Sequence, residues 1–197
     1  MLTKIVLFDT ETTGLPITPV ETQPPEIQPY IIELSAVMIE HDDKDHVVVE
    51  RLHTRIAGAP YISKRITDIN GIAMEDLVGQ PLWFDVREHF FDMCNKAGYV
   101  CAHNLQFDAR MIQLEEQRLG FGKPFSGVKR RCSLSMSRKV NDAPSHNLGK
   151  LYKHLFGKEL VNAHTADADT NALVEVYMHM VKKGAWSNGN TPGEAGA

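Results

Sequence analysis

Two carboxylates, Asp9 and Glu11, stand two residues apart where the apolar run KIVLF gives way to DTETTGLP. Extended backbone alternates its side chains with a period of two, so both acids project from the same face. Like charges side by side at the end of an apolar strand are costly unless protons or a cation neutralise them, and a divalent metal is the natural third party. The ordinary alternative is a pair of strand-end acids capping a turn. Asp108, in AHNLQFDARMI, falls one turn inside a helix, where an acid suits the helix dipole without further purpose. Asp169, in NAHTADADTNAL, falls near the start of another helix, with His164 five residues earlier in the preceding loop. Asp167 is nearer to that histidine and competes for the same role. Singly, each of these residues has a structural explanation.

The elements that must position them are legible from periodicity. KIVLF has the β-branched and aromatic character of a buried central strand, broken at Gly14 and Pro16. The stretch from Pro16 to Pro29 carries five prolines and no periodicity, and reads as a loop. IIELSAVMIE and HVVVERLHTRIA read as two further strands across the turn HDDKD, so the first three strands form an antiparallel meander. Ser63 to Asp92 is helical with interruptions at Gly71, Gly79 and Pro81, and GYVCAHN is a fourth, buried strand. Asn104 then caps a helix with Phe107, Met111 and Leu114 on one stripe, closed by Gly120. Ser145 caps a second, with Leu148, Leu151, Tyr152 and Leu155 inward and Gly157 at its end. The last helix starts near Ala166, buries Leu173, Val176, Tyr177, Met180 and Val181, and stops at Gly184. One domain over residues 1–184 is expected, followed by a disordered polar tail over 185–197.

Composition bounds the function. The chain has 197 residues, 43% hydrophobic and 23% charged, enough for one good core. Cys94, Cys101 and Cys132 form no CxxC pair and would leave one thiol over in any disulfide scheme, which favours a reducing compartment and structural cysteines. The N-terminal apolar run meets carboxylates at once, unlike a signal peptide. No stretch approaches the roughly 20 apolar residues of a membrane span, so a cytoplasmic protein with no membrane partner is expected. The net charge of -4 is unevenly spread. Residues 1–50 hold ten acids against Lys4 and Lys44, a balance of -8, whereas residues 123–158 hold nine Lys or Arg against Asp142 alone, a balance of +8. Such segregation sets a carboxylate cluster beside a phosphate-attracting surface, although a merely solvated basic face is an equal alternative.

Taken together, FDTETTGL, AHNLQFDARMI and HTADAD resemble, in order and separation, the three motifs of the DEDDh (DnaQ-like) exonucleases: D-x-E-x-T-G, H-N-x-x-F-D and H-x-x-x-x-D. That family includes the proofreading epsilon subunits of bacterial DNA polymerase III, RNase T and oligoribonuclease. The similarity runs over roughly residues 4 to 182, and its last spacing selects Asp169 rather than Asp167. It implies an α/β, ribonuclease H-like fold: a mixed five-stranded sheet flanked by helices, antiparallel at first and then parallel, with the fifth strand within Val128 to Leu134. It also implies a 3′ to 5′ exonuclease whose catalytic set is Asp9, Glu11, Asp108, His164 and Asp169.

Four carboxylates without a cysteine or multiple-histidine set suit two hard cations, Mg²⁺ or Mn²⁺, held by Asp9, Glu11, Asp108 and Asp169. The pair would serve in-line attack of water on the terminal phosphodiester, with His164 taking the water proton. By the resemblance, Thr12, Thr13 and Leu15 hold the terminal sugar and base, and His103 and Asn104 lie beside the substrate. Packing in the core is the competing reading, preferred for Phe107 but not for Leu15 in a Gly-Leu-Pro turn. One departure stands out: where proofreading subunits often show His-Gly-Ile, this chain has Asn70, Gly71 and Ile72. The expected substrate is DNA with a single-stranded or frayed 3′ end. RNA trimming with the same catalytic set is the first rival, and a noncatalytic nucleic-acid-binding module the second. Partnership with a DNA polymerase is open, and the short segment after the last helix suits a free-standing exonuclease equally well.

Overall fold

The computed structural model describes residues 2–140 and 142–186. Five strands, β1 (Thr3–Thr12), β2 (Ile31–His41), β3 (His46–Arg55), β4 (Tyr99–Ala102) and β5 (Lys129–Cys132), form one sheet in the order β3-β2-β1-β4-β5. The β1–β2 and β2–β3 pairs are antiparallel, and β1–β4 and β4–β5 are parallel. This is the mixed sheet expected. Helices α1 (Lys64–Asn70), α2 (Trp83–Ala97), α3 (Leu105–Arg118), α4 (Ser133–Val140), α5 (Leu148–Phe156) and α6 (Ala166–Lys182) flank it.

The alternation along β1 sorts its residues between two cores. Val6 and Phe8 pack with Phe90 and Met93 of α2 and Met111 of α3, while Ile5 and Leu7 pack under Leu173, Tyr177 and Val181 of α6. Asp9 and Glu11 continue the parity of Ile5 and Leu7, and Thr10 that of Phe8. The strand that fills both cores thus also aims the acids toward one layer and a threonine toward the other. The predicted inward stripe of α6, Leu173, Val176, Tyr177, Met180 and Val181, is fully buried.

Several local expectations are revised. Asn104 sits at the N-cap of α3 in the left-handed region (φ 78°), and its side chain makes no cap bond. The cap of α5 is Asn147 rather than Ser145, whose hydroxyl instead accepts from the Asn147 N–H at 3.4 Å. The proline-rich loop is fastened: buried Gln28 exchanges bonds of 2.8 and 3.0 Å with the Ile17 backbone, and Arg118 donates to the carbonyls of Pro25, Gln28 and Pro29. Packing continues past residue 184, since Ala185 is buried and the Trp186 ring stacks on Tyr177 with centroids 5.0 Å apart. The rest of the expected tail, residues 187–197, lies outside the described residues. Among the described residues no helix is long and apolar enough to cross a membrane.

Candidate active site

The acids gather where the carboxyl end of β1 meets the first turns of α3 and α6. Asp9 and Glu11 stand in register with Ser35 and Glu33 of β2. Asp108 is buried one turn into α3, and its Oδ1 accepts from both the N–H (3.2 Å) and the hydroxyl (2.8 Å) of Thr10. A residue of the opposite parity on β1 therefore ties the α3 acid to the strand carrying the other two.

From the other side, α6 brings Asp169. Thr165 caps this helix by accepting from the Ala168 N–H. The preceding His164 lies in the loop with φ 68°, a conformation that costs a non-glycine residue of order 1 kcal/mol or more. Its backbone N–H points at Asp169 Oδ2, 3.3 Å away. A ring nitrogen of His164 and one carboxylate oxygen each from Glu11 and Asp169 lie within 4.8 Å of one another. Asp167 is occupied elsewhere, accepting from Asn171 Nδ2 at 3.1 Å and from Ser35 Oγ at 3.5 Å.

Burial perturbs every member of this cluster, and neighbouring charge adds to it at Asp9, Glu11 and Asp169. Burial, and then the neighbouring Asp108, Asp169, Glu11 and Glu33, hold Asp9 well above the ordinary carboxylate range. Burial pushes Glu11 up to about 8, opposed in part by an Asn70 Nδ2 donor at 3.4 Å. Burial raises Asp108 to about 7 despite the Thr10 donors, and burial likewise raises Asp169 against its bond from the His164 N–H. A site that disfavours its own charge in this way is neutralised by protons or by a cation. The donors are carboxylate oxygens, the ligand type of Mg²⁺ and Mn²⁺, so the residues present fit a divalent metal.

The residues expected to hold substrate are unevenly placed. Leu15 is 79% exposed in the turn after β1, free of any core role, whereas Phe107 packs partly into the core. Thr13 is clamped to Tyr30, with N–H to carbonyl at 2.9 Å and Tyr30 N–H to the Thr13 hydroxyl at 3.0 Å, and Thr12 Oγ1 donates to the Gly14 carbonyl at 2.8 Å. These bonds fix the turn that carries Leu15. Asn104 is exposed beside the site. His103 is turned into the protein, its Nδ1 2.9 Å from Ser133 Oγ and its Nε2 2.8 Å from the His146 carbonyl. The ring thereby pins α4 and the approach to α5 against the end of β4.

Two residues at the site were not singled out as site members in the sequence. Glu33, buried, accepts from the Ala166 N–H at the start of α6 (2.8 Å) and lies 3.1 Å from His53 Nε2. Its signal was a lone acid inside IIELSAVMI, a run otherwise fit for the core. Asn70, noted only as a departure from a motif, reaches Glu11 while its Oδ1 accepts from the Ile72 N–H at 3.0 Å. The left-handed Gly71 (φ 75°) that ends α1 makes that second bond reachable.

Residues 6–177 match the family profile described as RNase_T, exonuclease, and the chain belongs to the exonuclease family, in its DEDDh, DnaQ-like branch. The PolC-type DNA polymerase III of Staphylococcus aureus is 31% identical over 179 residues, which are 90% of this chain and 11% of that much longer relative. Solved structures share the fold. Exonuclease X in complex with 5′ overhanging duplex DNA superposes with a TM-score of 0.67 at 19% identity, covering 93% of this chain and 94% of that one. A 3′-exonuclease recognising the histone mRNA stem-loop superposes with a TM-score of 0.73 at 14% identity, covering 92% and 82%.

Proposed function

We propose that the protein is a metal-dependent 3′ to 5′ exonuclease that releases nucleoside monophosphates one at a time from DNA 3′ ends. The observation that carries this reading is the convergence of Glu11, Asp169 and His164 within 4.8 Å, beside Asp9 and an Asp108 tied to the same strand by Thr10. Asp9, Glu11, Asp108 and Asp169 would hold two divalent ions, Mg²⁺ or Mn²⁺. When bound, such ions supply charge stabilisation for the attacking and leaving oxygens of phosphodiester hydrolysis.

The chain's own groups do the rest. His164, exposed and with no side-chain hydrogen bond to another described residue, takes the proton of the attacking water at a ring nitrogen. Asp169 holds the His164 backbone so that the ring faces Glu11. The clamped turn from Thr12 to Leu15 presents an exposed apolar side chain against which the terminal base can seat, and Asn104 borders the path of the strand. Asn70, bonded to Glu11, stands where proofreading subunits often show a histidine, so it fixes a catalytic acid and leaves terminal-nucleotide recognition to the Leu15 turn. DNA is favoured over RNA by the identity with a DNA polymerase III.

The test is degradation of DNA strands labelled at either end, single-stranded or as a mismatched duplex, and of RNA, with Mg²⁺ or Mn²⁺ and with Asp9→Ala as control. Stepwise mononucleotide release from the 3′ end of DNA, lost in the variant, is the expected result. Preference for RNA moves the substrate assignment to the first rival, and no metal-dependent release from any of them overturns the enzyme.

A further inference from the structure

The basic segment of the chain divides into two populations. Arg131 is buried and donates to the Tyr177 hydroxyl, Arg130 donates to the Pro124 carbonyl, and Lys129 lies over Tyr99. Lys153 pairs with Glu159, and Lys158 with Glu175 at 3.5 Å. Arg138 and Lys139 of α4 and Lys150 of α5 are different: all three are exposed, as is Lys123 in the loop before β5, and no ion pair or hydrogen bond joins any of the four to another described residue. Some helical cations elsewhere are neutralised locally, as in Lys64–Asp68 of α1 and Lys96–Asp92 of α2, whereas Arg65 of α1 and Lys182 of α6 stand alone, one on each helix. Helices α4 and α5 contain no acid at all.

Their placement gives this charge a direction. Ser137 Oγ meets His146 Nδ1 at 3.0 Å, so the end of α4 bearing Arg138 and the loop leading to Lys150 are held together. The His103 ring then fastens both to the end of β4, one residue before Asn104 and five before Asp108. Arg138 is close enough for its charge to bear on the His103 ring. Uncompensated cations thus sit on elements fastened beside the start of the helix that carries Asp108.

We propose that Arg138, Lys139 and Lys150 form a track for the phosphate backbone of the strand upstream of its 3′ end. This deepens the exonuclease reading and rests on it for the strand's polarity. The track holds backbone, not bases, so it is indifferent to sequence and sensitive to salt. It keeps the shortened strand on the protein between cleavages.

The experiment compares the wild-type protein, the triple variant Arg138→Glu/Lys139→Glu/Lys150→Glu, and a control triple of equal charge change, Lys44→Glu/Lys64→Glu/Lys96→Glu. Binding of a fluorescent oligothymidine of about 20 nucleotides is followed by anisotropy with Ca²⁺ across a salt series. The track variant is expected to bind about tenfold or more weakly, with the slope of log K against log salt flattened by about 2, as for three phosphate contacts on a single strand, while the control tracks the wild type. Equal affinity and slope in the two triples overturn the track. Should charge reversal disturb folding, judged by circular dichroism, the alanine triple at Arg138, Lys139 and Lys150 decides by the same ordering. Hydrolysis of the p-nitrophenyl ester of thymidine 5′-monophosphate, which has no upstream strand, is read in parallel. Its retention in the track variant places the three cations outside the chemistry. If the wild type leaves the ester and all strands intact while the track variant still loses binding, the exonuclease reading falls and the strand surface stands.

Discussion

Thr10 and Asp108, 98 residues apart, meet through two bonds on one oxygen: the backbone N–H at 3.2 Å and the hydroxyl at 2.8 Å both donate to Asp108 Oδ1. The pair ties β1 to α3, and both bonds fall on the one oxygen. Thr10→Val keeps the shape and the backbone bond but deletes the hydroxyl. Groups that orient a metal-binding carboxylate typically matter about 10- to 100-fold in metal affinity or activity. The Mn²⁺ concentration for half-maximal activity should therefore rise about tenfold with the fold intact; an unchanged metal titration would remove Thr10 from the site.

The raised carboxylates couple stability to pH and to metal. Glu11 moves from an ordinary 4.5 to about 8 and Asp108 from 3.8 to about 7. A carboxyl group raised on folding stabilises the fold fully below its unfolded value, and that contribution is lost as pH rises through the folded value. In EDTA the melting temperature should thus fall between about pH 5 and about pH 8, and Mg²⁺, which favours the charged forms, should restore it most at the upper end. A melting temperature flat across that window in EDTA would contradict the burial of these acids.

How far the sequence reached depended on whether a residue's role is local. The period of two in KIVLFDTE placed Ile5, Leu7, Asp9 and Glu11 on one face, and the stripe Leu173, Val176, Tyr177, Met180 and Val181 placed α6 over it, because both patterns are set by backbone geometry. Order and spacing of the three motifs then joined acids that singly looked structural. Glu33 escaped because its role is defined by a register across β1 and β2 and by the start of a helix 133 residues away. His103 was expected, from the family resemblance, beside the substrate; its ring bonds Ser133 and His146, partners that no local pattern announces. Asn104 was legible as the start of α3 but not as a left-handed residue, since asparagine suits both roles.

Asp167 and Asp169 offer an internal comparison on one helix. Asp169 lies within 4.8 Å of Glu11 and the His164 ring nitrogen, whereas Asp167 is bonded to Asn171 and Ser35. Asp169→Asn should lower turnover by about 10² or more, as loss of a group acting in the transition state does, and Asp167→Asn should stay within a few-fold of wild type. Steady-state rates on a labelled DNA strand check both, and the reverse ranking would reassign the acid of the third motif.

His164 is exposed and its ring makes no hydrogen bond or ring stacking with another described residue, so its removal costs little packing. His164→Ala should lose about 10² to 10⁴ in kcat, the usual worth of a positioned general base, with KM and Mn²⁺ binding little changed. Equal losses in strand affinity and turnover would instead make it a binding residue.

Glu33 supports the whole of the α6 approach. Its carboxylate satisfies the buried Ala166 N–H, an orphan donor of the first helical turn, and faces His53 on the neighbouring strand. Glu33→Gln keeps an acceptor for Ala166 and relieves one charge in a crowded acid cluster, so it should fold at least as stably as the wild type. Glu33→Ala leaves the Ala166 N–H unsatisfied and should cost about 1–3 kcal/mol of unfolding free energy. Because the first turn of α6 carries Asp169 and follows His164, the alanine variant should also lose about tenfold in kcat with KM little altered, and the glutamine variant should recover most of that loss. Denaturant unfolding and single-turnover kinetics on the two variants separate the contributions. If glutamine and alanine were equally impaired in turnover, the charge of Glu33 would matter in itself, and a carboxylate that only braces the helix would not explain it.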